Sequence, residues 1–528
     1  MSLDTPATTP QSVAETPNNT TDVAAKGLRV GSIGLFGSSV LGVVQTAPAY
    51  SIAVTATLLA STIGLASPGM LLLAFVPILC ITIAQRELVD RHPDCGAAFV
   101  WVGRALGPRT GWIVAWTIVA STLLALANLA KVVGVYAFLL VDAPDLANST
   151  IATLSVGLLA LAGVTVIALR GLRSSSRLQT LLLGGSLAVL LVFAVVAMVK
   201  VFGGTAGPQA VTPTIGWLNP FGGDGSGGVA VGLLLAVFLY WGWDVPSAVV
   251  EEADGGSKTS GRAMLVSALT LLGIYGIVVV ALQAYAGVGS DGIGLANEAI
   301  ADDVLGVVAA SAVGPVMGPL MEFAVFASAL ACLAAAVSPA ARLLLSMGAY
   351  RALPSSFAKV HRGGSPRFAT VAIALGVGGS LIALSAISDE IVADAIGALV
   401  LFIALTYTLV CIACLRTFRR EMTGSARNLF TRGVAPLIGA VVLGWAFVRS
   451  ALDSLDPDYG ATVIFGVGGV FVIWAFGMAV GVLIMLAWNI RAPAFFRNET
   501  FAQGWVDGHA PDLADDTRQE HNPPEAQS

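Results

Sequence analysis

The sequence predicts an all-α integral membrane protein of about twelve transmembrane helices, with the first and sixth broken in mid-membrane. Three observations lead there. The chain is 56% hydrophobic and 11% charged, with a mean hydropathy of +0.84, against roughly 25% charged residues in ordinary soluble domains. Apolar runs of the ~20-residue length that crosses a bilayer recur along it, whereas a barrel would show short alternating segments. With the N-terminus placed inside, only Lys131, Lys200 and Arg449 of the 27 Lys and Arg fall in outer or membrane-buried positions. Such a division follows the positive-inside rule and fits an even number of spans.

Taken in order, the runs place spans near 32–60, 67–85, 110–141, 150–169, 178–202, 228–250, 262–288, 317–345, 368–387, 391–415, 433–451 and 462–488. Residues 1–30 are polar, Thr-, Pro- and Asn-rich, and read as a disordered cytoplasmic tail without a signal-peptide core. Residues 491–528, with Asp507, Asp512, Asp515, Asp516 and Glu520, read as an acidic cytoplasmic tail. The outer loop at 289–316 has room for a short helix over the vestibule. Cys80, Cys95, Cys332, Cys411 and Cys414 lie in spans or inner loops, so no disulfide is expected.

The first and sixth spans differ from the rest. In the sixth, Tyr240-Trp241-Gly242-Trp243-Asp244-Val245-Pro246 interrupts the apolar run. Gly242 weakens the helix, Pro246 removes a donor, and a carboxylate at that depth is normally kept for an ion, a proton or a substrate. The other reading of Asp244 is a helix cap at a Pro kink. In the first span, Gln45-Thr46-Ala47-Pro48-Ala49-Tyr50-Ser51 stands where a plain helix should continue. Thr46-Ala47-Pro48 and Asp244-Val245-Pro246 are each a capping residue, an apolar residue and Pro, as at the start of a second half-helix. Five spans separate them, so the second copy crosses in the opposite sense, the pattern of inverted repeats whose broken helices meet near the midplane. The expected organisation is a first five-helix repeat at 31–203, an outer loop at 204–227, a second five-helix repeat at 228–415 and two further spans at 416–490.

This geometry suggests a cradle for a zwitterion. First-turn amides at Ala49, Tyr50 and Ser51 would offer the positive end of a half-helix to a carboxylate. Carbonyls ending the half-helix near Trp241, with Asp244, would take an ammonium group. Tyr50, Tyr240, Trp241 and Trp243 are candidate aromatic walls, since a cation over such a face gains roughly 0.5–2 kcal/mol; plain packing or an interfacial position is the alternative for each. The substrate-binding candidates are thus Gln45, Thr46, Ala47, Pro48, Ala49, Tyr50, Ser51, Tyr240, Trp241, Gly242, Trp243 and Asp244. Glu251 and Glu252 stand where they can pair with inner Arg or Lys and latch a gate, or form a solvated helix end.

Tyr240-Trp241-Gly242-Trp243-Asp244 with Glu251-Glu252 and Gly261-Arg262 resembles the sixth span of the amino acid-polyamine-organocation permeases. Asp94-Cys95-Gly96-Ala97-Ala98-Phe99-Val100-Trp101 through Leu106-Gly107-Pro108-Arg109-Thr110-Gly111-Trp112 resembles that family's loop into the third span. Ala341-Arg342 with Met347, Ala352-Leu353-Pro354, Phe357, Val360-His361 and Ser365-Pro366 resembles its loop after the eighth. The resemblance covers roughly residues 30 to 490. It implies the amino acid permease branch and a LeuT-type 5+5 inverted repeat with alternating access to a central site. The first span departs from the family's commoner glycine-rich break. Sodium-coupled relatives use hydroxyls on the eighth span, but those of Ser328 and Ser338 form no adjacent pair here. Some proton-coupled relatives place a Lys on the fifth span, and residues 178–199 contain none. Asp244 and Lys131 are left as coupling candidates, and proton coupling is the expected mode. Lys131 also has a snorkelling reading.

Other classes fit poorly. His92, His361, His509 and His521 all fall in loops or a tail, giving no intramembrane Ser-His dyad or His-ligated metal. No phosphate-binding loop for a primary pump and no basic nucleic-acid patch occurs in the sequence. No cofactor, metal or enzymatic activity is therefore expected. The expected partners are a small amino acid or amine, protons and the lipid bilayer, in the plasma membrane with both termini cytoplasmic. A polyamine or organic-cation carrier, or an amino acid exchanger, is the alternative.

Overall fold

The computed structural model describes residues 26–170, 172–222, 226–361 and 364–502. Tail residues 1–25 and 503–528, for which disorder and acidity were expected, lie outside the described residues. The fold is all-α. Among the described residues, eleven apolar helical stretches are long enough to cross a membrane. The first runs 57 residues, Leu35–Arg91, and divides at Gly64, where φ 60 and ψ −133 end one helix before the next begins. Counting that stretch as two gives the expected twelve.

Both interrupted spans are indeed broken. The first consists of α1 (Leu35–Gln45) and α2 (Pro48–Ile63), followed by α3 (Ser67–Arg91). Then come α4 (Ala98–Leu106), α5 (Pro108–Leu139), the single turn α6 (Pro144–Ala147), α7 (Thr150–Leu169) and α8 (Leu172–Phe202). The second broken span consists of α9 (Ser226–Tyr240) and a 3-10 helix, Val245–Glu252. Next are α10 (Gly256–Ala286), α11 (Val304–Val313), α12 (Met317–Ala349), α13 (Arg367–Ile387) and α14 (Asp389–Thr417). The chain closes with α15 (Ala426–Leu429), α16 (Ala435–Asp453), a hairpin of β1 (Val463–Ile464) and β2 (Val467–Gly468), α17 (Gly469–Arg491), α18 (Pro493–Phe496) and α19 (Glu499–Ala502). The short helix expected within 289–316 is α11.

α5 packs against both α12 and α14 at the centre, while α17 is largely exposed along its length. Small residues allow this closeness: a Cβ on Gly134 or Gly157 would strike backbone of the neighbouring helix. Two segments read from sequence as tail or loop are instead part of the packing. Leu28 is buried, and Phe495, Phe496 and Phe501 are buried beside Phe99 and Tyr350. Aromatic surface of this kind is too costly to leave in water. The loop into the third span holds α4, whose Phe99, Val100 and Trp101 are buried.

Candidate functional site

The two breaks are built differently and touch. In the first, Thr46 and Ala47 amides bond back to Val43 and Val44, and Ala47 turns the chain with φ 44 and ψ 67. Pro48 then starts α2, where its missing N–H costs nothing. Thr46 does not cap α2: its hydroxyl donates backward to the Val43 carbonyl at 2.9 Å. The Ser51 amide, expected to be free, donates to the Ala47 carbonyl at 2.8 Å. Its hydroxyl donates to the Thr46 carbonyl at 2.6 Å. Ala49 and Tyr50 remain as the candidate first-turn amides.

In the second break α9 stops at Tyr240, and Gly242 takes φ +117. A Cβ there would lie 2.7 Å from Gln45 Cγ and 3.0 Å from the Gln45 carbonyl carbon. Glycine is therefore required both by conformation and by the approach of α1. Asp244 occupies the N-cap position of Val245–Glu252 but makes no capping bond. Its Oδ2 instead accepts from Gln85 Nε2 at 3.0 Å, which removes the plain capping reading. The Tyr407 hydroxyl lies beside the same carboxyl.

Gln45, Gln85, Trp241, Gly242, Asp244 and Tyr407 line a cavity of about 110 Å³. Asp244 is the only charged side chain among the cavity's described lining residues. A second void of about 20 Å³ lies at the first break, against Gln45, Thr46, Ala47, Tyr50, Ser51, Trp241 and Cys332. Gln45 and Trp241 border both voids and stand between them. The Gln45 carbonyl already accepts from Cys332 Sγ at 3.1 Å.

Not every candidate faces these spaces. Tyr240 is buried and packs on Phe75 and Tyr275. Trp243 is buried against Tyr407, with ring centroids 5.0 Å apart. Pro48 and Ala49 are buried without bordering either void. Of the four aromatics, Tyr50 and Trp241 line these cavities. The Tyr50 hydroxyl donates to Asn128 Oδ1 at 2.5 Å and reaches a larger vestibule of about 460 Å³, shared with Lys131, Tyr136 and Asp303. Lys131 thus lines the approach to the breaks from one end. Asp303, in the loop before α11, is pushed up to about 7 by burial and by the neighbouring Glu322 charge.

The opposite end is closed by charge. Lys26 Nζ lies 2.7 Å from Asp94 Oδ2 and 2.8 Å from Glu251 Oε1. Arg342 Nε pairs with Glu252 Oε2. The ion pairs expected of Glu251 and Glu252 form, but their cations come from the N-terminal segment and from α12. Backbone joins the same place: the Ser32 amide donates to the Glu252 carbonyl, and the Asp254 amide to the Ile33 carbonyl. Burial works against the Lys26 ammonium, yet Asp94, Cys95 and Glu251 hold it well above 10.5. Burial likewise works against the Asp94 carboxylate, and Lys26 holds it below the usual range. Asp94, Cys95 and Glu251 also form the one metal-type donor group among the described residues; here the Lys26 ammonium bridges its two carboxylates. All five cysteines are buried and unpaired.

Sequence reasoning missed Gln85, Tyr407, Asn128, Lys26 and Asp94. Gln85 sat at the end of a predicted span, and Asn128 was legible as an isolated amide inside one. Lys26 had no signal beyond charge, and Asp94 stood in a family-like motif that did not name its partners, which lie far along the chain.

Residues 30–501 match a family model described as amino acid permease. The branched-chain amino acid permease BcaP of Lactococcus lactis is 27% identical over 245 residues, 42% of this chain and 51% of that protein. Uncharacterised transporters of Mycobacterium tuberculosis and Mycobacterium bovis are each 27% identical over 415 residues, 76% of this chain and 82% of theirs. The chain thus spans about half the length of the first relative and most of the other two.

Proposed function

The chain belongs to the amino acid permease family, and from that premise we propose that it is a secondary active transporter carrying amino acids across the plasma membrane by alternating access. Two inverted five-helix repeats, 31–203 and 228–415, would supply the two broken spans, and both termini would lie in the cytoplasm. The observation that carries this reading is the contact of the two breaks at Gln45 and Gly242 beside a cavity in which Asp244 is the one charged side chain among the described lining residues.

A zwitterion would place its carboxylate toward the Ala49 and Tyr50 amides and its ammonium toward Asp244. Gln45 and Trp241 stand between those two subsites, so binding would require them to swing aside and merge the voids. The vestibule at Tyr50 would be the outer approach, and the Lys26–Glu251 and Arg342–Glu252 pairs would be the inner gate. Asp244 would carry the coupled proton, with Gln85 donating to its carboxyl and Tyr407 alongside.

A second reading draws on the same cavity. No Lys or Arg is among its described lining residues, so a substrate cation could itself be the partner of Asp244, as in a polyamine or organic-cation carrier. The test is uptake into proteoliposomes of labelled amino acids and polyamines, with and without an inward proton gradient. Gradient-stimulated accumulation of amino acids supports proton symport, and competition by putrescine rather than neutral amino acids supports the second reading. Uptake only against preloaded substrate makes the protein an exchanger and removes the proton role of Asp244.

A further inference from the structure

Glycine in a membrane helix ordinarily marks the close approach of another helix. Several glycines here conform: an added Cβ on Gly111 would strike backbone of Gly103, and one on Gly157 the backbone of Ala130. Gly184 and Gly185 of α8 do not. A Cβ on either would meet no protein atom within 4 Å. Both open onto a groove of about 580 Å³ between α8 and α1, with Phe36, Gly37 and Val40 on its α1 wall. Phe36 is 75% exposed and Leu181 of α8 is 74% exposed, so apolar side chains form its lips.

The groove has a polarity gradient. Along α8 the polar Ser176, Arg177, Gln179 and Thr180 line the stretch toward the helix's N-terminus, and Leu181, Gly184 and Gly185 line the stretch after it, opposite the apolar α1 wall. Arg177 is exposed, and no carboxylate lies among the described lining residues. A cleft of this size between lipid-facing helices fills with hydrocarbon, since an empty one forfeits dispersion contacts along both walls. A cation at its polar end then selects the headgroup, as basic pockets between spans do for anionic lipids.

We infer that the α1–α8 groove is a binding site for one anionic phospholipid of the bilayer, its acyl chain over Gly184 and Gly185 and its phosphate at Arg177. One Arg near the membrane surface corresponds to about a fivefold preference for an anionic over a zwitterionic headgroup. The inference does not depend on what the protein transports.

The test is native mass spectrometry of the full chain after exchange into equimolar phosphatidylethanolamine and phosphatidylglycerol. Wild type should retain one lipid above background, with phosphatidylglycerol favoured about fivefold. Gly184→Leu, whose new side chain enters open space, should lose that lipid. Gly163→Leu on α7, where an added Cβ also meets nothing within 4 Å, should keep it. Arg177→Gln should keep the lipid and lose the headgroup preference. Equal retention by the two glycine variants, or an unchanged preference in Arg177→Gln, overturns the site. Should Gly184→Leu not fold, the exposed Arg177 decides the matter alone.

Discussion

The two broken spans meet the same difficulty, a helix interrupted among apolar neighbours, in opposite ways. At the first break, Ala47 in a left-handed conformation turns the chain into sixteen residues of regular helix, α2. The second uses Gly242 and continues only as an eight-residue 3-10 helix. The first break carries hydroxyls and amides but no charge. The second carries Asp244 and ends in Glu251 and Glu252, both clamped to distant cations. A regular helix satisfies its own backbone, whereas the short 3-10 segment depends on what holds its ends. On this comparison, the second break is the one held in place by the rest of the molecule and the one where substitutions should cost most.

The largest effect is expected at the clamp. Lys26→Met leaves Asp94 and Glu251 buried without their cation, and breaking a buried pair from one side costs about 3–5 kcal/mol. Thermal unfolding in detergent should show it, and adding Asp94→Asn and Glu251→Gln should restore much of the loss. The pH dependence follows from the two shifts. The Lys26 contribution is present below 10.5 and lost only as pH rises through its higher folded value. The Asp94 contribution is present above 3.8 and lost only as pH falls through its lower folded value. The clamp's contribution to wild-type stability should therefore stay flat from about pH 5 to about pH 9. In Lys26→Met burial is left to push the Asp94 carboxyl up, so the gap should narrow as pH falls and protonation relieves the stranded charge; a gap unchanged down to about pH 5 would detach the clamp from these charges.

Next comes Gly242→Ala, which combines an unfavourable φ with a collision against Gln45. A loss of about 2–4 kcal/mol is expected from strain and overpacking together. Asp244→Asn should then lower uptake roughly 10–100-fold, the range for losing a hydrogen bond made by a charged group, with little change in unfolding. Glu322→Gln is the comparison, because Glu322 lies outside both central voids. Equal and mild losses in initial uptake rate would remove Asp244 from the site.

How much of this was legible in the sequence divides along the same lines. Hydropathy and Pro placement located the spans and both breaks, because those signals are local. The X-x-Pro pattern predicted caps at Thr46 and Asp244, and neither side chain caps: Thr46 bonds backward and Asp244 reaches Gln85. Side-chain choice between a local and a distant partner is set by packing that the sequence does not display. The same holds for Tyr240 and Trp243, whose type suited a binding wall but whose ring neighbours place them in the core. The clamp was half legible. Glu251 and Glu252 called for cations, yet Lys26 lies 225 residues from Glu251, and no local pattern joins them.

The smallest expected effect tests the other side of the comparison. Ala47→Gly should relieve a left-handed conformation that costs an L-residue about 1–2 kcal/mol. Against that stand the extra freedom of the unfolded chain, about 0.4–1 kcal/mol, and the loss of a buried methyl group. Ala47 borders the small void at the first break, so the methyl is not fully packed and its loss is cheap. The net change in unfolding should stay within about 1 kcal/mol of wild type, although the substitution restores the glycine-rich break commoner in the family. Gly242→Ala and Ala47→Gly are thus inverse changes, one in each break, with unequal consequences. If Ala47→Gly instead destabilised as much as Gly242→Ala, measured in the same detergent, the first break would also be held from outside, and the asymmetry between the two spans would fail.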